Sequence, residues 1–111
     1  MPILAIGGIQ TKGFIGKIRF NYFALRSFSQ AKHARGNLGA DVTVWNGISL
    51  SISLWEDRQA MKVYVLSGAH RAAMRNASKM GEVLHFSITE ADQLPSKAEA
   101  IALWRADLRA R

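Results

Sequence analysis

His70 is the side chain whose type and neighbours come nearest to chemistry. It stands one turn before Ala73 and Met74 and two turns before Ala77, so helical spacing places it on an apolar face. A neutral imidazole there can move a proton, hydrogen-bond a substrate or ligate a haem iron. The same spacing equally fits a core histidine bonded to a backbone carbonyl, and the residues leave both readings open. Trp55 and Tyr64 are large enough to line a pocket for an aromatic ligand, and equally large enough for core packing. Met74 shares the face of His70. Arg19, Tyr22 and Arg26 recur at steps of three and four. They form a stripe able to hold a carboxylate, or simply a solvated face.

Other chemistries are excluded by residue type. The chain has 111 residues and no Cys, which removes disulfides, thiolate zinc sites and a Cys nucleophile. No Ser-His-Asp set, phosphate-binding loop, dinucleotide fingerprint or paired-His spacing occurs. Glu56 and Asp57 are adjacent at a helix start, where capping accounts for them. His33 and His85 fall at a helix end and on a polar strand face.

The elements that must position these residues follow from periodicity. Ile3, Leu4, Ala5, Ile6 and Ile9 predict a short strand broken at Gly7-Gly8. A helix is expected over residues 17–35, with Phe20, Phe23, Ala24, Ala31 and Ala34 on one stripe and Gly36-Asn37 ending it. Residues 41–45 form a strand. Ile48, Leu50, Ile52 and Leu54 then alternate with Ser49, Ser51 and Ser53, which is the period of a half-buried strand. Asn46-Gly47 between the two strands is a hairpin signal. Asp57 caps a helix with Ala60, Met61, Tyr64 and Val65 inward, and a second helical piece carries Ala69, Ala73, Met74 and Ala77. Residues 82–89 form a strand with Leu84, Phe86 and Ile88 on one face. Ser96 and Glu99 have capping-box spacing and open a terminal helix through Ala100, Ile101, Leu103, Trp104 and Leu108.

The order is β-α-β-β-α-β plus a C-terminal helix: a single ferredoxin-like α+β domain over 1–111 with a four-stranded antiparallel sheet. The Ile/Leu side of the sheet is expected to meet the two crossover helices. The serine side is expected to face a second copy, giving a homodimer.

Charge is uneven. The net charge is +7, yet residues 1–40 hold Lys12, Lys17, Arg19, Arg26, Lys32 and Arg35 and no acid. The remainder is nearly balanced. This basic third suits an anionic ligand or an acidic partner. The absence of any nucleic-acid motif argues against nucleic acid. No run is long and apolar enough for a membrane span, and the start lacks the features of a signal peptide, so a cytoplasmic location is expected.

Ser51-Ile52-Ser53-Leu54-Trp55-Glu56-Asp57, Ala60-Met61 and Ser67-Gly68-Ala69-His70-Arg71-Ala72-Ala73-Met74, with Leu94-Pro95-Ser96 before a helix, resemble the dimeric α+β barrel proteins. The resemblance is to the uncharacterised relatives of spheroidene monooxygenase and to the antibiotic-biosynthesis monooxygenases. It covers about residues 36–105. It implies a dimer with helices outside and a pocket between the second helix and the sheet. Relatives oxidise aromatic polyketides without a metal, or bind, degrade or use haem. The resemblance thus implies monooxygenase-like chemistry on a flat apolar molecule. Some haem-using members take their axial ligand from a His on a helix beside the sheet, a role that His70 alone could match, so His70 would be a metal ligand only if haem is bound. The residues themselves, not the resemblance, make His70 the candidate catalytic residue and Trp55, Tyr64, Met74 and Arg26 the candidate substrate contacts. No cofactor is firmly implied, and haem and flavin stay open. The alternative function is a non-catalytic dimer that binds a ligand or partner through the basic first helix.

Overall fold

The computed structural model describes residues 2–11, 13–66 and 81–110. The elements are β1 (Ile3–Thr11), α1 (Gly13–His33), β2 (Asn37–Trp45), β3 (Ile48–Trp55), α2 (Arg58–Val65), β4 (Gly81–Glu90) and α3 (Lys97–Ala110). The helical piece expected around His70 and Met74 lies outside the described residues.

The strands form one sheet in the order β2-β3-β1-β4, and each neighbouring pair is antiparallel. β3 lies between β1 and β2, and β1 lies between β3 and β4. Each helix-bearing crossover therefore skips one strand, which is the ferredoxin-like split βαβ arrangement expected from the sequence. The local signals behave as their chemistry requires. Asn46 and Gly47 take φ of 51° and 79°, the left-handed pair that joins β2 to β3 in a two-residue hairpin. Asp57 Oδ1 accepts from the Ala60 amide at 2.8 Å. Ser96 and Glu99 close a reciprocal capping box, with both bonds at 3.1 Å. Those bonds hold the exposed Glu99 carboxyl below its ordinary range.

Register divides the sheet into two faces. On one, which we call the leucine face, lie Leu4 and Ile6 of β1 and Leu50, Ile52 and Leu54 of β3. All five are buried in a single cluster with Ala100 and Trp104 of α3. The guanidinium of Arg105 sits 4.4 Å from the centre of the Trp45 ring, which fastens α3 toward the hairpin end. On the other, the serine face, lie Ile3 and Trp55 in a second cluster with Ala31 of α1 and with Met61 and Tyr64 of α2.

This arrangement corrects the expected covering. The Ile/Leu side does not meet α1 and α2; the C-terminal helix closes it. Trp104 supplies in one side chain the broad apolar cover that side needs. The small residues Ala31, Ala34 and Ala60 let α1 and α2 come down beside Trp55 instead. The expectation that serines meet a second sheet loses its premise, because α1 and α2 stand on that side.

Two strand details also differ from expectation. β1 continues through Gly7-Gly8 rather than breaking there. A side chain on Gly7 would collide with the Phe86 ring, and one on Gly8 would come within 2.7 Å of Trp104 Cζ2. The glycines are sites of close approach on opposite faces, not a break. In β4 the pairing with β1 shifts between Gly7 and Ile9. Leu84 consequently packs against the leucine-face core, while Phe86 pairs with Gly7 and Ile88 with Ala5 on the serine face. A bulge defeats strict alternation in just this way.

Candidate functional site

The serine face is filled at one end and open at the other. At the filled end Trp55 is fully buried and Tyr64 nearly so. Their ring centres are 4.8 Å apart with planes tilted by 31°. Trp55 Nε1 donates to Ser53 Oγ at 2.9 Å, so the indole nitrogen is satisfied within its own strand. The Tyr64 hydroxyl donates to the Ser27 carbonyl of α1 at 3.2 Å. Gln30 Nε2 reaches the Tyr64 carbonyl at 3.4 Å. Burial pushes the Tyr64 phenol up to about 12, because an ionised oxygen there would lose its hydration. The sequence placed Trp55 and Tyr64 in one region, and the structure brings them into contact. They fill the space between α2 and the sheet as a wall.

Past that wall the sheet opens. Val42 and Val44 of β2 stand opposite Ser51 and Ser49 of β3, and Phe86 and Ile88 lie across β1 from them. Val42 is 45 % exposed, Val44 65 %, Phe86 40 % and Ile88 44 %. Four large apolar side chains half open to water, with two serine hydroxyls set among them, make a half-exposed apolar floor. Ser27 Oγ is buried in α1 with no partner among the described residues. Its hydroxyl is a donor left over on the helix that carries the Tyr64 contact. The floor was not singled out from sequence. The alternation of Val42 and Val44 against Ser51 and Ser49 was visible, but which face the helices would leave bare was not.

The remaining expected site residues are placed as follows. Arg26 is exposed on α1, where Nη1 donates to the Tyr22 hydroxyl at 2.9 Å and the guanidinium lies 5.6 Å from that ring centre; it is not brought to Trp55 and Tyr64. His70 and Met74 lie outside the described residues. His33 is exposed, with Nδ1 donating to the Ser29 carbonyl at 2.8 Å. It borders an open groove of about 370 Å³ between the end of α1 and α2, together with Gln30, Arg35, Ala60, Val63 and Tyr64. Among the described residues no cluster of His, Asp or Glu could hold a metal ion. The haem ligand that the resemblance suggests, His70, is not among them.

No protein-family model and no curated protein matches the sequence. Solved structures do. Rv0793 from Mycobacterium tuberculosis superposes with a TM-score of 0.75 at 10% identity, over 86% of this chain and 100% of that one. SnoaB from Streptomyces nogalater, a cofactor-independent oxygenase, gives 0.68 at 12% identity, over 86% and 98%. An antibiotic biosynthesis monooxygenase gives 0.65 at 14% identity, over 84% and 99%. At such identities the likeness speaks for architecture and not for reaction. The chain has the ferredoxin-like α+β fold of the antibiotic-biosynthesis-monooxygenase-like proteins, the superfamily its own residues resemble.

Proposed function

We propose that this protein is a monooxygenase-like enzyme that takes a flat, mainly apolar aromatic molecule on the open end of its serine face. The observation that carries the reading is the half-exposed floor of Val42, Val44, Phe86 and Ile88 around Ser49 and Ser51. It ends against the Trp55–Tyr64 wall, so a rigid ring system would stack on the floor and abut the wall. The serine hydroxyls offer hydrogen bonds to a phenol or carbonyl on its edge. The fold shared with SnoaB, a cofactor-independent oxygenase, supports chemistry in which the substrate supplies the electrons. The ring CH2 that lies across the central ring from the carbonyl would lose a proton to His70, and the carbanion would bond to dioxygen and take that proton back as a hydroperoxide. Loss of water from the hydroperoxide would leave a new carbonyl. Met74 completes the proposed substrate contacts, and the working unit is a homodimer.

Oxygen consumption with a tricyclic anthrone tests this directly. The wild-type protein is expected to raise the rate above the uncatalysed one. His70→Ala should lower it by about a hundredfold or more, the usual worth of a positioned base, while leaving anthrone binding intact. Amide shifts on titration should centre on Val42, Val44, Ser49 and Ser51. No binding and no added oxygen uptake would remove the enzyme reading. Sedimentation velocity reads the dimer, and a monomer at working concentration would remove that part.

A second reading has its own observation. Lys17, Arg19 and Arg26 are exposed on α1, which suits a non-catalytic protein that binds an anionic partner through this helix. Binding of that kind falls steeply with added salt.

A further inference from the structure

The first helix is apolar on two opposite sides. Its sheet-facing stripe runs through Gly16, Phe20, Ala24, Ser27 and Ala31, all buried or half-buried. On the far side, Phe14, Ile15, Ile18, Tyr22 and Leu25 are 53–78 % exposed. At 3.6 residues per turn these five fall within an arc of about 100° and run about 17 Å along the axis. A helix docked on a sheet by one stripe has no folding reason to carry a second one in water, where the hydrophobic effect works against it.

The charge around the outer stripe identifies what covers it. Lys17, Arg19 and Lys32 are exposed on the same helix, the helix has no acid in its first turn, and residues 1–40 contain no acidic residue. A second copy meeting this surface about a two-fold axis would set cations against cations, with no carboxylate on the helix itself to offset them. An acidic peptide would answer the charge. But helix recognition by a peptide uses a groove, and the outer side of α1 is a convex row of side chains. An anionic lipid surface answers both features. Headgroups meet the lysines and arginine, and the acyl boundary accepts a convex apolar ridge with Phe14 and Tyr22 at its level. No helix among the described residues is long and apolar enough to cross a membrane, so the contact would lie in the plane of the interface.

We propose that the outward face of α1 is a docking surface for anionic membranes, seating the protein on the lipid with its sheet behind the helix. The inference gives the second reading above its partner, and it does not depend on oxygenation.

Vesicle co-sedimentation tests it with the intact chain. Vesicles of 70 % phosphatidylcholine and 30 % phosphatidylglycerol should carry the wild-type protein down at low salt. Vesicles of phosphatidylcholine alone should retain far less of it. Lys17→Glu/Arg19→Glu should weaken partition by more than the roughly fivefold per base expected for neutralising each one. Ile18→Ser/Leu25→Ser removes apolar ridge without touching charge and should weaken it as well, while circular dichroism and anthrone oxidation stay as in the wild type. The wild type left in the supernatant of the anionic vesicles overturns the proposal. So does Ile18→Ser/Leu25→Ser converting a dimer to a monomer with no change in lipid partition, which would assign the ridge to a second copy. Tight binding to a polyglutamate peptide that survives Ile18→Ser/Leu25→Ser, together with absent lipid binding, would assign it to an acidic partner. Failure of lipid binding with anthrone oxidation intact leaves the enzyme reading standing, and the reverse result leaves this one.

Discussion

The two faces of one sheet have been given different tasks. The leucine face is closed by α3, with Leu4, Ile6, Leu50, Ile52 and Trp104 at 0–2 % exposure. Among the described residues, the serine face is closed where Trp55 meets Tyr64 and is half open at Val42, Val44, Phe86 and Ile88. Burial of apolar area is the main stabilising term in a domain this small, so the closed face holds the fold together. The open face then retains apolar surface that folding did not use. Two adjacent glycines in β1 mark the contrast: Gly8 admits Trp104 on the closed side and Gly7 admits Phe86 on the open side.

The largest expected effect breaks the comparison if it fails. Trp104→Ala leaves a hole in the closed face and should cost about 3–5 kcal/mol, read as a lowered midpoint in urea. Phe86→Ala removes a ring that is already 40 % exposed and should cost roughly 1–2 kcal/mol, since only part of its surface leaves water on folding. Equal losses would mean that the two faces share the stabilisation and that the open floor is ordinary core.

Glycine substitutions sharpen the same contrast. Gly8→Ala puts a methyl into Trp104, which has no free space and is backed by Leu50; overpacking of this kind costs about 1–3 kcal/mol. Gly7→Ala meets Phe86, whose ring has solvent to turn into. Thermal melts of the two variants should therefore separate, with Gly8→Ala the lower. Identical melts would show Phe86 to be as firmly held as Trp104.

Much of this was legible beforehand. Helix caps and the hairpin are local, set by Asp57, Ser96 with Glu99 and Asn46-Gly47 acting on their own backbone, and they fell where the sequence put them. The alternation in β3 also fixed which residues share a face. The helix covering each face was not legible, because periodicity says that a face is apolar without saying which element meets it. Trp104 is the residue that decides, and nothing in its own neighbourhood reports that it reaches β1. The bulge in β4 was hidden for a related reason: it depends on pairing with Gly7 and Ile9, not on the order of residues 82–89. For the candidate site, Trp55 and Tyr64 were legible as neighbours. Their role as a wall and the open floor beyond them required the register of β2 against β3.

The wall between the two ends of the serine face has a pH signature. Tyr64 ionises near pH 10 when unfolded and at about 12 when folded. Between those values the unfolded chain has lost a proton that the folded chain still holds, so stability falls as pH rises through this window and is fully present below it. Tyr64→Phe deletes the titration and the bond to the Ser27 carbonyl, costing roughly 0.5–1.5 kcal/mol at neutral pH. Its stability should then fall less steeply than that of the wild type between pH 10 and 12. Parallel curves would mean that the phenol is wetter than its burial implies, and that the filled end of the face is itself partly open.

The smallest effect on stability is expected where function is proposed. Val44→Thr keeps the branched shape of a strand residue that is 65 % exposed, and Ser51→Ala removes an exposed hydroxyl. Neither touches the closed face, so each should shift stability by no more than about 0.5 kcal/mol. Each nevertheless changes the floor, Val44→Thr by making it more polar and Ser51→Ala by deleting a hydrogen-bonding group, so both should weaken anthrone binding measured by equilibrium dialysis. A variant that leaves both quantities unchanged returns its position to the ordinary solvated surface. If both variants lower stability and spare binding, the serine face is structural along its whole length, and the division of labour between the two faces is wrong.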